Sequence, residues 1–358
     1  MAVVIDADAH VNEDPFAWTD LADAHPGWLQ AGQSAGRWVA QIEGKLYPTQ
    51  EGPGCGVPID SATNSDAAAG AADVDQRLRD MDAEGIDVQV LYGGLIIGLT
   101  SLDDPGFALD LARAYNDWLL GKVCGHAPDR LKGVATVPLQ DVDRSIAEVE
   151  RVRSLGAVAV TIPPVLGPRP LDDPSFLPFF AACAEADLAV AVHSAPGMNV
   201  PLPAAGLFDN YAQVHCLSFP VDQMVAFTAL AMGGVLDRFP RLRVALLESG
   251  TGWMPYFVHR MHEHVEKRPD LLPLMRSDAR EYLERGQVFV SFEAEEPLLE
   301  TCVEQLGDNW LVYASDYPHW DSDFPGTVEE VRRNAAPLGD ATTARILGEN
   351  AARLYGLD

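Results

Sequence analysis

The chain alternates short, nearly unbroken apolar runs with longer stretches in which apolar residues recur every three or four positions. Eight runs stand out, over residues 3–8, 86–92, 131–137, 157–162, 188–193, 242–248, 288–292 and 311–316. Most are continuously Val, Ile, Leu and Ala, the pattern of a parallel strand buried on both faces. The intervals read as helices. In residues 107–124, Leu111, Ala114, Tyr115, Trp118 and Leu119 form one apolar face. Residues 75–84 and 142–155 each run into a glycine, Gly85 and Gly156, placed to end a helix before the next strand. Further helices are expected over 174–186, 221–236, 252–267, 297–306 and 328–335, and a closing helix over about 342–355. Eight strands alternating with helices predict an α/β fold, a (β/α)8 TIM barrel. The rival is an open doubly wound sheet, but no GxGxxG follows the first run.

Residues 11–73 are too many for one βα loop. They predict a long insertion after strand one that acts as a lid, because loops following barrel strands emerge on the active-site face. The insertion carries Trp18, Trp28, Trp38 and Tyr47, then turns small and polar over 61–72, so a packed part followed by a mobile part is expected. Residues 198–219 read as a second irregular stretch. The whole of 1–358 is thus read as a single barrel with one insertion.

Composition narrows the function classes. Hydrophobic residues make up 47% of 358 and charged ones 22%, enough apolar material for a large core. A net charge of −28 excludes a broad nucleic-acid surface, which needs excess Lys and Arg. The five cysteines, Cys55, Cys124, Cys183, Cys216 and Cys302, are scattered and form no CxxC pair, which argues against disulfides or a thiolate zinc site. No apolar run reaches the roughly 18 residues of a membrane span, and the first residues lack the basic start of a signal peptide. A cytoplasmic protein with no membrane partner is expected.

Candidate chemistry gathers where strands end. Strand one ends in Asp8 and His10, strand five in His193, strand six in Glu248 and strand eight in Asp316. In a barrel these ends converge on one mouth. Asp8 and His10, two apart in extended chain, point the same way. Asp8, His10, His193 and Asp316, two carboxylates and two imidazoles without thiolate, suit Zn²⁺, with Mn²⁺ or Fe²⁺ as alternatives. Taken singly, each residue also reads as a cap or a core side chain; their coincidence at strand ends makes the metal site. His259, His262 and His264 sit on one helical stretch, but the His-Glu-x-x-His pattern is absent and a solvated face explains them.

The residues that carry this site also carry a resemblance. Ile5-Asp6-Ala7-Asp8-Ala9-His10-Val11, residues 129–138 and 234–242, Leu247-Glu248-Ser249-Gly250, Ala314-Ser315-Asp316-Tyr317-Pro318-His319 and residues 348–357 resemble the amidohydrolase superfamily nearly end to end. The branch is amidohydrolase-2, which holds aminocarboxymuconate-semialdehyde and γ-resorcylate decarboxylases together with hydrolases and hydratases. The resemblance implies Asp8, His10 and His193 as metal ligands, and Asp316 as a ligand or a proton-transfer group. Binuclear members use a carbamylated lysine after strand four; this chain has Thr161-Ile162-Pro163-Pro164 there, and Lys132 lies at the wrong end of strand three, so one metal is expected. Many relatives place a histidine just after strand six, where this chain has Glu248. Glu248, His215 and His319 are the candidates to take its acid–base role.

Two reactions fit these residues. In a non-oxidative decarboxylation the metal chelates the substrate and Asp316 delivers a proton to carbon as CO₂ leaves. In a hydrolysis of an ester, lactone, amide or C–C bond, Asp316 takes the proton of a metal-activated water. A catalytically inactive binding barrel is the third reading. The resemblance favours the decarboxylase. Arg37 in the insertion and Arg260 after strand six are the candidate clamps for a substrate carboxylate. The aromatic insertion suggests a small aromatic or conjugated acid as substrate, and the resemblance implies a homodimer.

Overall fold

The eight apolar runs become eight parallel strands. The structure, a computed structural model, describes residues 2–13, 29–34, 37–58, 69–200 and 203–357, without the side chains of 29–34 and 37–39. The strands are β1 (Ile5–His10), β2 (Val88–Tyr92), β3 (Leu131–Thr136), β4 (Ala159–Ile162), β5 (Ala189–Val192), β6 (Val244–Leu246), β7 (Val288–Phe292) and β8 (Leu311–Tyr313). They pair in chain order within one 8-stranded sheet. Their sequence-predicted positions hold, and the barrel is the observed fold.

Packing follows from the pleat. One set of strand side chains, including Val90, Val134, Ala191, Ala245, Phe289 and Val312, fills the barrel interior. The alternate set packs outward under the helices, with Leu91, Ala135, Val160, Val190, Leu246 and Val290 in a second, larger cluster. The outer helices are α1 (Val74–Glu84), α2 (Pro105–Asp117), α3 (Val142–Ser154), α4 (Leu177–Glu185), α5 (Tyr211–Met232), α6 (Met254–Lys267), α7 (Leu299–Leu306) and α8 (Thr327–Ala335). α1 starts on Asp73, whose side chain accepts from the Gln76 amide, and ends at Gly85 with φ 80°. The closing segment forms a plug. Tyr355 is buried and donates from its hydroxyl to the Ala7 carbonyl at 2.7 Å.

One helix departs from expectation. The sequence predicts a helix only from Val221, after Pro220, and places His215 in the irregular stretch 198–219. Instead α5 begins nine residues earlier than Pro220, capped by Asn210, and runs through the proline. Among the described residues it alone is long and apolar enough to cross a membrane by length and composition, which corrects the expectation that no stretch is. Of that apolar window 56% is buried inside the protein, as in a core helix.

In the insertion, Leu29–Ser34, Arg37–Ile42 and Lys45–Tyr47 form an antiparallel sheet. Thr49 N–H then donates to the Gly197 carbonyl at 2.7 Å, joining the insertion to the loop after β5. Trp18, Trp28, the Trp38 side chain and most of the small polar stretch lie outside the described residues.

The barrel closes between β8 and β1 by side-chain chemistry. The Asp6 carboxylate accepts from the Ser315 amide at 2.9 Å, the Ser315 hydroxyl at 2.5 Å and the Gln89 amide at 2.9 Å. Asp316 N–H donates to the Asp8 carbonyl at 3.1 Å. The Asp8 amide donates to the Asp6 carboxylate at 3.3 Å, so Asp6→Ala would leave four buried donors without an acceptor and is expected to cost more than about 3 kcal/mol. Asp6→Asn keeps part of the acceptor set and should cost less. Denaturant unfolding of both variants checks this ranking; equal stabilities would contradict it.

Candidate active site

Side chains from the C-terminal ends of four strands meet at the barrel mouth. A β-bulge in β1 between Asp6 and Ala9 inserts one extra residue and re-aims the strand end. Asp8 and His10 then face the same space, as their spacing predicts. His10 Nε2 lies 3.5 Å from Asp8 Oδ1 and 3.4 Å from Asp316 Oδ1. His193 Nε2 lies 3.9 Å from Asp8 Oδ2 and 3.1 Å from Glu248 Oε2. Asp316 also accepts from His319 Nδ1 at 2.8 Å, and the His319 ring stacks on His10 at 4.1 Å between centroids.

The backbone sets the imidazole tautomers. His10 Nδ1 donates to the Gly93 carbonyl at 3.2 Å, and His193 Nδ1 to the Ser194 carbonyl at 2.6 Å. Each Nε2 is therefore left with a lone pair aimed into the mouth. Burial, helped by the His319 and His193 charges, pushes the His10 pKa well below its usual value, so the ring stays neutral. Burial raises the Asp8 and Glu248 carboxyls well above the ordinary range, and the Asp316 charge pushes both further up. Asp8 Oδ1, His10 Nε2, His193 Nε2 and Glu248 Oε2 are all buried, and none makes a hydrogen bond. Buried polar atoms without partners are costly. These four converge, and their N and O donors suit a divalent cation. Two groupings come within ligating reach of one point: Asp8, His10 and His193, and His10, Glu248, Asp316 and His319.

Above this floor lies a cleft of roughly 1020 Å³, open rim included. Phe219, Tyr211, His215 and Trp320 supply aromatic lining, and Pro48 and Val57 of the insertion close one side. His215 lies on α5 at the rim, with Nε2 3.5 Å from Asp321 Oδ2. Burial lowers its pKa despite that carboxylate.

A sequence profile of the amidohydrolase family matches residues 5–357. The chain belongs to this family. A 2-amino-3-carboxymuconate-6-semialdehyde decarboxylase of Dictyostelium discoideum is 28% identical over 98% of this chain and 91% of its own length. A gamma-resorcylate decarboxylase of Rhizobium radiobacter is 28% identical over 79% of this chain and 87% of its own. Among solved structures, a 2,6-dihydroxybenzoate decarboxylase complexed with 2,6-dihydroxybenzoate superposes with TM-score 0.68 at 25% identity, covering 80% of this chain and 90% of that one. A 5-carboxyvanillate decarboxylase of Novosphingobium aromaticivorans with bound manganese gives TM-score 0.71 at 23% identity over 99% and 97%, a likeness of fold.

Within this amidohydrolase, Asp8, His10, His193, Glu248, Asp316 and His319 come together and His215 stands at the rim. Arg260 does not join them. It is exposed on α6, away from the cleft lining, because the helix turns that side outward. Only the backbone of Arg37 is described, in the antiparallel sheet. Sequence reasoning missed Glu13, which lines the cleft and accepts from the Gly94 and Ile96 amides at 2.8 and 3.0 Å. It also missed Glu293, the residue directly after β7, whose pKa burial and the Asp316 charge raise well above normal. Its place at a strand end was the available signal.

Metal removal has a defined pH signature. Metal-free protein holds protons on Asp8 and Glu248 that the unfolded chain releases, so its stability falls as pH rises above the usual carboxylate range. A divalent cation held there would replace those protons and should therefore raise Tm more at about pH 8 than at about pH 5. Thermal melts of chelator-treated and reloaded protein check this; a larger rise at low pH would contradict it.

Proposed function

We propose that this amidohydrolase is a metal-dependent, non-oxidative decarboxylase, a carboxy-lyase acting on an aromatic or conjugated carboxylic acid. The observation that carries the reading is the convergence of the unbonded Asp8, His10, His193 and Glu248 atoms beside Asp316, on the floor of an aromatic-lined cleft. The decarboxylases among its relatives support it. Asp8, His10, His193 and Asp316 would hold one divalent ion, Zn²⁺ first and Mn²⁺ or Fe²⁺ as alternatives. The bound ion supplies a Lewis acid for the substrate's carboxylate and a neighbouring oxygen.

The chain's own groups handle the proton and the pocket. Asp316, as the acid, gives its proton to the carbon that bears the carboxylate. The bond to that carboxylate then breaks, CO₂ leaves, and the electron pair returns to the conjugated system. His319 Nδ1, 2.8 Å from Asp316 Oδ1, is placed to return a proton from the cleft. Glu248 takes the place of the histidine that many relatives carry after strand six, and its contact with His193 lets it hold that ring or exchange a proton. His215, at the rim, serves the substrate's outer end. The insertion acts as the lid, with Pro48 and Val57 against the ligand. A homodimer and a cytoplasmic location belong to the same reading, on the family resemblance.

Glu248 also supports a second reading. A carboxylate beside the metal site is a general base for water, as an ester, lactone or amide hydrolase needs.

Metal-loaded protein incubated with hydroxybenzoates and conjugated enoic acids is expected to release CO₂. Asp316→Asn should cut that rate by about 10²–10⁴-fold while its metal-free form melts like the metal-free parent. Release of an alcohol or amine from esters or amides, with no CO₂ from any acid, would replace the first reading with the second.

A further inference from the structure

Among the described residues the cleft carries acids and no clamp of opposite charge. Its ionisable lining consists of Glu13, Glu248 and Asp321 with His10, His193, His215 and His319; no Lys or Arg lines it among the described residues. Asp8 and Asp316 lie at its floor, and Glu293 is close enough to Asp316 and Glu248 to feel their charges. Residues 14–28, 35–36, 59–68 and 201–202 contain neither Lys nor Arg. Arg37 is the one cationic residue whose side chain is not described. With one divalent ion engaged by the reacting end, no described side chain of the cleft offers a positive partner to a second anionic group on a ligand.

The outer wall adds a second, independent feature. The His215 ring lies 5.3 Å from Tyr211, 5.4 Å from Trp320 and 5.1 Å from Phe219, centroid to centroid. Asp321 borders the same wall through His215. Aromatic faces beside a carboxylate attract a nitrogen cation. Below them, the unbonded Glu248 Oε2 faces the cleft on a side chain only 8% exposed.

We propose that this mouth selects an aromatic acid with a single carboxylate and, at the end remote from it, a positively charged nitrogen lying against Trp320, Tyr211 and Asp321. This rests on the decarboxylase reading for the end that reacts, while the charge preference stands on the wall alone. Three ligands of matched shape test it by calorimetric titration of the zinc-loaded full chain: 4-(trimethylammoniomethyl)benzoate, its neutral isostere 4-(2,2-dimethylpropyl)benzoate, and the dianion 4-(carboxymethyl)benzoate. The cation is expected to bind about tenfold more tightly than the neutral isostere, and the dianion most weakly. Asp321→Asn, checked for unchanged melting, should shrink the gap between cation and isostere while leaving isostere binding in place. Equal binding of cation and isostere, tighter binding of the dianion, no binding of any of the three, or an unaltered gap in Asp321→Asn would each overturn the proposal. CO₂ release, assayed separately, reports on the reaction: the charge order without CO₂ would sink the decarboxylase reading and leave the selectivity standing.

Discussion

One buried carboxylate fastens the barrel and the site together. Seven strand pairs are joined by backbone ladders, while β8 meets β1 through Asp6, its Ser315 donors and the Asp316-to-Asp8 backbone bond. Desolvation still outweighs all the donors, because the Asp6 pKa is pushed up to about 6. The join is thus held by geometry rather than by favourable charge burial. Gln89 passes it on. Its amide nitrogen donates to Asp6, and its oxygen accepts from the fully buried Arg77, which also donates to the His10 and Gly70 carbonyls. Residues from β1, β2, β8 and the end of the insertion therefore share one polar network beneath the mouth.

That rigidity explains how the mouth tolerates its charge. Three carboxylates and three imidazoles crowd within a few ångströms, and in water such groups would spread apart. Here His10 and His193 are tied to backbone carbonyls through Nδ1, so neither can turn its Nε2 away. The cost of burying Asp8 and Glu248 appears as protons held to higher pH. A divalent cation relieves the same cost by another route, which makes metal binding and proton release opposite sides of one equilibrium.

The barrel was legible in the sequence because a parallel strand buried on both faces writes itself as an unbroken apolar run. Asp8, His10, His193, Glu248 and Asp316 were legible because they end such runs. What was hidden depended on folding at a distance. Pro220 masked the first half of α5, since local preference puts a proline at a helix start, whereas packing carried the helix through it. His215, Tyr211 and Phe219 were thereby hidden as one wall. Arg260 misled because position along the chain after β6 says nothing about which side of α6 faces solvent. Glu13 draws its role from amides more than eighty residues away in sequence, and no local pattern announces that.

The backbone shows which demand prevailed at the mouth. Glu248 and Asp316 both sit at positive φ, 55° and 53°, a region that favours glycine. Glycine would relieve the strain, of order 1–3 kcal/mol for such residues, but would bring no carboxylate. Each conformation is pinned by its own amide, which donates to the Ser291 hydroxyl at 2.9 Å for Glu248 and to the Asp8 carbonyl for Asp316. The turns lie just after β6 and just after β8, where Glu248 Oε2 meets His193 Nε2 at 3.1 Å and Asp316 Oδ1 meets His10 Nε2 at 3.4 Å. Of the five non-glycine residues at positive φ among the described residues, with Glu43, Asp187 and Asn199, these two bring a carboxylate against His193 and His10. This is where a fold built for stability alone would not place its strain, and where a site that must hold a cation and move a proton does.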